Sequence, residues 1–299
     1  MPTGNGEYKD RLFNFLFGSE ENRRWTLSLY NAVNGSTYDD PAQISFTTIR
    51  EVMYLGMHND VSFLVAGEMS LYEQQSTFNP NMPLRMLQYL GNLYQRHVDE
   101  HKLNKYGSTI VPLPAPRFVV FYNGERNRPD EEVLRLSDAF PTGATSDVEV
   151  RVRAVNVNLG HNQALLQACR PLREYAWLVA EVRKRSAVDR DADLGTIIDR
   201  TIAAMPDDFE IKPFLTAHQA EVRGMLLTEY DEAKAMELFR EDGRREGMRE
   251  GRREGRREGA IGMLRSLVEN GLLAVSDAAA QVGMTVPEFE RAAAELTVS

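Results

Sequence analysis

The chain has little cysteine, no long apolar run and no excess of basic charge, and each shortage argues against a class of protein. Its single cysteine, Cys169, rules out an internal disulfide, which fits a reducing compartment. No apolar run approaches the roughly 18 residues of a membrane-spanning helix, and residues 1–10 are too polar for a signal peptide. The net charge of -9 argues against non-specific adhesion to nucleic acid or anionic membranes. We therefore expect a cytoplasmic protein.

Several familiar catalytic patterns are also missing from the sequence. There is no P-loop, no Gly-x-Ser-x-Gly motif and no zinc-ribbon spacing. His97 and His101 fit the His-x-x-Glu-His pattern of inverted zincins, but no third ligand is apparent downstream. We interpret that segment as an exposed, charged helix end.

The composition, 42% hydrophobic and 26% charged, is that of a globular protein, and its apolar periodicity predicts both helices and strands. Strands are expected at 44–55, at 117–122 as a central strand buried on both faces, and at 148–158. Helices are expected at 7–17, at 20–34, from about Leu84, and from Gln163 onward, including a long helix around 217–239. Ser19 is a candidate N-cap and Gly35 a candidate C-cap of the second helix.

Residues 59–83 are typical of a β-hairpin that carries acidic residues and is followed by a polar loop and a helix. Strands at 61–65 and 70–75 with a four-residue loop would pair Val65 with Ser70 and Asp60 with Gln75. Because side chains alternate along a strand, apolar residues would fill one face of this hairpin. The other face would carry four polar residues: Asp60, Ser62, Glu73 and Gln75.

Six segments carry a resemblance to a known family. They are SLYNAVNG (28–35), HNDVSFLV (58–65), YEQQSTFNPNMPLR (72–85), FVVFYNG (118–124), the Asn-x-Asn of VNVNLGHN (155–162) and LTEYD (227–231). Together they resemble the bacterial Rpn family of recombination-promoting nucleases, also called YhgA-like putative transposases, in the PD-(D/E)XK nuclease superfamily. The block at 72–85 is the most specific, and the resemblance runs from about residue 9 to the glycine repeat described below.

The resemblance implies an α/β fold with a restriction-endonuclease-like mixed central sheet flanked by helices, then a C-terminal helical region and tail. It implies a DNA endonuclease linked to recombination or mobile elements and associated with the nucleoid when on DNA. Its cofactor would be Mg²⁺, with Mn²⁺ or Ca²⁺ as alternatives. The expected divisions are a nuclease-like core at 1–162, a helical region at 163–242, a repeat linker at 243–259 and a helical module at 260–299.

Asp60, Glu73 and the backbone carbonyl of Gln74 would hold the metal in such a site, because Mg²⁺ prefers hard oxygen ligands and keeps several waters. The metal would lower the pKa of a bound water and offset charge on the phosphate. An acidic residue from the first helices, Asp10 or Glu21, would complete the ligand set. The alternative is that Asp60 and Glu73 are solvated strand residues.

Gln75 occupies the position where most of the superfamily has lysine. Its amide can orient a water molecule, but it supplies no positive charge and has no titratable proton. Arg85, at the start of the following helix, could supply that charge. The rival interpretation is a catalytically inactive nuclease-fold protein that binds DNA or protein or mediates oligomerisation, in which Gln75 marks the lost activity.

The C-terminal part combines a repeat with a compact tail. Glycines recur every four residues from Gly243 to Gly259, with seven arginines and four glutamates between them. We interpret this repeat as a solvated helical linker, although a partner helix could approach its glycine stripe closely. The segment after it has a helix–turn–helix rhythm but an acidic second helix, which favours packing or homo-oligomerisation over reading of DNA.

Overall fold

The computed structural model describes residues 11–47, 61–189 and 191–296. The chain forms two compact units, which divide between Ala233 and Lys234. The first unit contains a mixed six-stranded sheet with helices on both faces, so the expected mixed α/β architecture is confirmed. In the described ranges, no helix is long and apolar enough to cross a membrane.

The sheet has the strand order β1-β2-β3-β4-β6-β5. The strands are β1 Ser45–Phe46, β2 Val61–Val65, β3 Glu68–Gln75, β4 Ala115–Tyr122, β5 Glu131–Arg135 and β6 Arg151–Asn156. β1, β2 and β3 pair in antiparallel fashion, β3, β4 and β6 are parallel, and β5 closes the sheet antiparallel to β6. A parallel centre of this kind places three strand ends side by side at one edge of the sheet.

Two apolar cores cover the two faces of the sheet. The helices are α1 Leu12–Phe17, α2 Arg23–Asn34, α3 Met82–Glu100, α4 Gln163–Ala168, α5 Arg170–Val188, α6 Leu194–Ala203, α7 Lys212–Ala217, α8 Gln219–Glu269, α9 Val275–Gln281 and α10 Val286–Glu295. One face, here the multi-helix face, packs on α1, α2, α4–α7 and the first turns of α8. The other, the α3 face, packs on α3 and on Leu136 of a short 3-10 helix, Leu136–Ala139.

The β2–β3 hairpin has a shorter loop than the sequence suggests. Val65 pairs with Glu68, not with Ser70, and β3 therefore begins at Glu68. Ala66 and Gly67 both have positive φ, 49° and 81°, which allows a two-residue turn of the kind that matches strand twist. The predicted register was therefore wrong by two residues, which leaves every side chain on its predicted face.

The other strand predictions hold in part. β4 pairs with a parallel neighbour on each side and is buried from Val119 to Tyr122, which confirms it as a central strand. Of the strand expected at 44–55, the structure describes only Ser45–Phe46, because residues 48–60 lie outside the described ranges. β5 was not anticipated, because its sequence EEVLR is charged at an edge where only Leu134 is buried.

The helices largely match their periodicity. α2 ends at Gly35 with φ 65°, which confirms the predicted C-cap. Ser19 precedes a short 3-10 helix, Glu20–Asn22, and makes no side-chain capping hydrogen bond, so the predicted N-cap was wrong. α8 continues beyond 239 through the whole glycine repeat, which is exposed along its length.

The second unit has a small core of its own. Ile261 and Leu264 of α8 pack with the buried alanines of α9 and with Phe289 of α10. α10 begins with a capping box in which Thr285 and Glu288 exchange hydrogen bonds, which satisfies orphan amide groups at the helix start. The helix–turn–helix rhythm of the tail thus corresponds to two short helices packed on the end of α8.

Candidate acidic site at the end of strand β3

Glu73 lies near the end of β3 on the α3 face, and only 3% of its surface is exposed. Arg85 projects from the first turns of α3 and places its Nη2 2.5 Å from Glu73 Oε1. The same guanidinium donates to the Tyr89 hydroxyl one turn further along, at 2.7 Å from Nη2. Arg85, which was expected to supply positive charge in place of the missing lysine, therefore forms a direct ion pair with this carboxylate.

Gln75 follows two residues later on the same face, as its spacing predicts. It is 5% exposed, and its Nε2 lies 2.7 Å from the sulfur of Met82 at the start of α3. Ser62 on β2 also lies on this face, opposite Leu71, and is fully buried. Glu73, Gln75 and Ser62 thus share one surface, which is covered by α3 and not by bulk solvent.

Gln74 lies on the multi-helix face, and its backbone carbonyl accepts a hydrogen bond from Arg11 Nη1 at 2.8 Å. Its side-chain Nε2 donates to Asn123 Oδ1 at 2.6 Å, and Asn123 Nδ2 donates to the Tyr175 hydroxyl at 2.8 Å. The predicted metal ligand at this carbonyl is therefore bound to a guanidinium. A buried chain of hydrogen bonds joins the strand end to α5.

A further acid that the sequence reasoning did not select, Glu229, lies close to this strand end. Glu229, in α8, is 9% exposed, and its Oε1 accepts a hydrogen bond from the backbone amide of Leu12 at 2.9 Å. Arg11, the residue before Leu12, is the one that holds the Gln74 carbonyl. Glu229 belongs to the LTEYD segment, so the signal was present, but nothing in its spacing connected it with β3.

The neighbouring ends of β4 and β6 are built from asparagines. Asn158 donates from Nδ2 to the carbonyl of Gly124 at 2.9 Å and to Asn156 Oδ1 at 2.9 Å, and Asn156 donates to the carbonyl of Arg128 at 3.0 Å. These bonds hold the loops after the two parallel strands against each other. The Asn-x-Asn spacing therefore has a structural role at the edge where ligands bind in open α/β sheets.

The loop between β3 and α3 is fixed by a stacked arginine. Arg128 lies with its guanidinium carbon 3.7 Å from the centroid of the Phe78 ring, a close cation–π contact. Its Nη2 also lies 2.5 Å from the Glu132 carboxylate. Tyr230 of α8 packs against the multi-helix core, and burial raises its pKa to about 12, so this phenol stays neutral across the physiological range.

The predicted ligand set is assembled only in part. Asp60 and Asp10 lie outside the described residues, and Glu21 lies on an exposed 3-10 turn. Within residues 11–47, 61–189 and 191–296, no three His, Cys, Asp or Glu side chains are grouped to hold a metal. His97 and His101 stack with ring centroids 4.2 Å apart but belong to no such group. Of Asp60, Glu73 and the Gln74 carbonyl, the structure therefore describes only the last two, and each of them contacts a guanidinium group.

Comparison with protein-family models, with curated proteins and with solved structures finds no match to this chain.

Proposed function

We propose that the chain is a metal-dependent DNA endonuclease built on a restriction-endonuclease-like core, with a role in recombination or in mobile elements. The observation that carries this proposal is the position of Glu73, Gln75 and Arg85 together at the end of β3, beside a parallel strand. The order of elements, namely helices, three antiparallel strands, a helix and a parallel strand, supports the proposal because it agrees with the helix–strand–hairpin–helix–strand order that the sequence resemblance implies.

The roles follow from chemistry. Glu73 offers carboxylate oxygens of the kind that Mg²⁺ prefers, and Asp60 would have to supply a second carboxylate. When bound, the cation would lower the pKa of a water molecule and offset phosphate charge. Gln75 has an amide that can orient a water, and Arg85 brings a permanently charged fork that matches a phosphate oxygen pair. Arg85 is 34% exposed on its side chain and can exchange Glu73 for a phosphate without crossing the core.

A second function, a non-catalytic nuclease-fold protein that binds DNA or protein or forms oligomers, is favoured by a different observation. Two of the three groups expected to bind a cation already interact with guanidinium groups: Glu73 with Arg85 and the Gln74 carbonyl with Arg11. A permanent arrangement of this kind would hold the strand end together as a structural ion pair. Gln75, which cannot supply positive charge, is consistent with that function.

The two functions are separated by nicking of supercoiled plasmid with the purified full-length chain, in Mg²⁺ and in EDTA. We expect nicking by the unchanged protein in Mg²⁺ only, and its loss in Asp60→Ala and in Glu73→Gln. Glu100→Gln, which changes an exposed carboxylate at the end of α3, serves as the matched control and should nick normally.

Cleavage in Mg²⁺ that persists in both Asp60→Ala and Glu73→Gln would refute the proposed site. The second function is favoured if no plasmid, linear duplex or single strand is cleaved with Mg²⁺, Mn²⁺ or Ca²⁺. Thermal unfolding of each variant, followed by circular dichroism, distinguishes lost chemistry from lost folding.

A further inference from the structure

A cavity opens where two strands of the sheet separate. The first four residues of β4 pair only with β3, and the β4–β6 ladder begins at Val119 and Arg153. The space between the diverging strands, bounded also by β5 and by the C-terminal end of α2, has a volume of about 710 Å³. Its lining includes residues from both faces of the sheet, among them Phe118 and Val150 of the α3 face, but not Glu73, Gln75 or Arg85 of the site described above.

Three arginines line this cavity, and a fourth lies opposite one of them on the same face of three neighbouring strands. Val119 and Val155 point into the multi-helix core, and the arginines precede them on the same face by period-2 alternation. The lining arginines are Arg117 on β4 and Arg151 and Arg153 on β6, and the fourth is Arg135 on β5, opposite Arg151. These four arginines concentrate positive charge on one small surface of a chain whose net charge is -9.

The carboxylates around the cavity are already bound to other groups. Glu131 is held by Arg153 through two bonds, and Glu68 accepts from both Arg117 and the Tyr30 hydroxyl. Glu149 accepts from the Ser137 hydroxyl and from two backbone amides, and its pKa is lowered by these bonds. Glu132 is bound to Arg128. None of these acids is left to neutralise the other two arginines.

Arg151 and Arg135 are directly opposite each other on β6 and β5, and both are exposed. Within the described ranges, neither side chain makes a hydrogen bond or an ion pair. Two like charges in directly opposed positions of an antiparallel pair destabilise the sheet. An anion between the two guanidinium groups would convert this repulsion into a pair of charge-assisted contacts.

We propose that this cavity binds a phosphorylated ligand of about nucleotide size, with its phosphate held at the edge of the cavity, where Arg151 of the lining lies opposite Arg135. Arginine forks match phosphate oxygens in geometry as well as in charge. The volume falls within the roughly 300–1,000 Å³ of small-molecule sites. Val133, which is 50% exposed beside Arg153, and Asn34 at the end of α2 supply an apolar and an amide contact for the remainder of the ligand. The inference does not depend on nuclease activity.

The test is isothermal titration calorimetry of the full-length chain in EDTA with three probes: inorganic pyrophosphate, ATP and a short DNA duplex. The variants are Arg151→Gln and Arg135→Gln, with Arg173→Gln, an exposed arginine on α5, as the matched control. We expect at least one probe to bind the unchanged protein and the control. Each cavity variant should lose about tenfold or more in affinity, the loss expected for one charged hydrogen bond.

A second measurement tests for a merely structural role. Without ligand, removal of one of two opposed arginines relieves repulsion, so the unfolding temperature of each cavity variant should equal or exceed that of the unchanged protein. Binding of pyrophosphate or ATP would identify a free phosphate as the ligand, whereas binding of the duplex alone, with the same arginine dependence, would identify a nucleic-acid phosphate. The inference is overturned if no probe binds, if the cavity variants bind like Arg173→Gln, or if both cavity variants unfold at lower temperature.

Discussion

The ion pair between Glu73 and Arg85 makes a strong prediction about stability. Arg85→Met keeps much of the side-chain volume but removes the guanidinium from a carboxylate whose side chain is only 4% exposed. The carboxylate then remains buried with a charge that its ion-pair partner no longer offsets. The change should therefore destabilise the first unit, and a second change, Glu73→Gln, should recover most of the loss by removing that charge.

The magnitude follows from the burial of the two partners. Removing one partner of a fully buried pair costs about 3–5 kcal/mol. Arg85 is one-third exposed, so water can enter when it is shortened, and we expect a smaller cost of about 2–3 kcal/mol. For a unit of this size, that loss corresponds to a fall in melting temperature of about 5–10 °C.

Tryptophan fluorescence reports on this unit alone, because both tryptophans of the chain, Trp25 and Trp177, belong to the first unit. Thermal unfolding would be followed for Arg85→Met, Glu73→Gln and the double variant. Arg185→Met is the matched control, since it breaks an i,i+4 pair on α5 that is more exposed and should cost about 0.5 kcal/mol or less. The reasoning is refuted if Arg85→Met costs no more than this control, or if Glu73→Gln gives no recovery.

Three further outcomes are expected elsewhere in the first unit. In thermal unfolding, Gly124→Ala should destabilise the fold by about 3 kcal/mol, because the added Cβ would collide with a backbone oxygen. Gly91→Ala should stabilise the fold by about 0.5–1 kcal/mol, because Gly91 lies within α3 and its Cβ would enter open space. Burial raises the pKa of the Cys169 thiol to about 11, so Ellman's reagent should label the unfolded chain but not the native one at mildly alkaline pH. A hydrogen bond from Arg117 lowers the pKa of Glu68 in the folded state. The ionised carboxylate therefore stabilises the fold at pH values above the usual pKa of a glutamate, and this stabilisation is lost as the pH falls towards the lowered pKa. Arg117→Gln should therefore reduce the fall in melting temperature that acid causes. The same fall in the variant and in the unchanged protein would contradict the role given to Arg117.

Much of the fold could be predicted because it follows from local periodicity. The sequence of β4 is a continuous apolar run because the strand lies between two parallel strands and is buried. α2 ends at Gly35 because that residue adopts a left-handed conformation. The hairpin loop was wrong because Ala66 has positive φ, which alanine seldom adopts and which nothing in its sequence indicates. β5 was missed because an edge strand needs only one buried side chain.

Of the candidate site, only the residues that are close together in sequence could be predicted to lie together. The alternation along β3 placed Glu73 and Gln75 on one face, and the short step to α3 made Arg85 a neighbour. The contacts of Arg11 with Gln74 and of Glu229 with Leu12 join residues separated by 63 and 217 positions. Contacts of this range depend on how helices pack on the sheet, which local sequence does not specify.

The central claim, that Glu73 belongs to a DNA-cleaving site, is tested most directly by the nicking rate of Glu73→Gln in Mg²⁺ relative to that of Glu100→Gln. Both substitutions remove one carboxylate charge, but only the first alters the group bound to Arg85. We predict that Glu73→Gln cleaves at least about a hundredfold more slowly, the lower end of the effect of a positioned catalytic group. Equal rates of cleavage by the two variants would contradict the account.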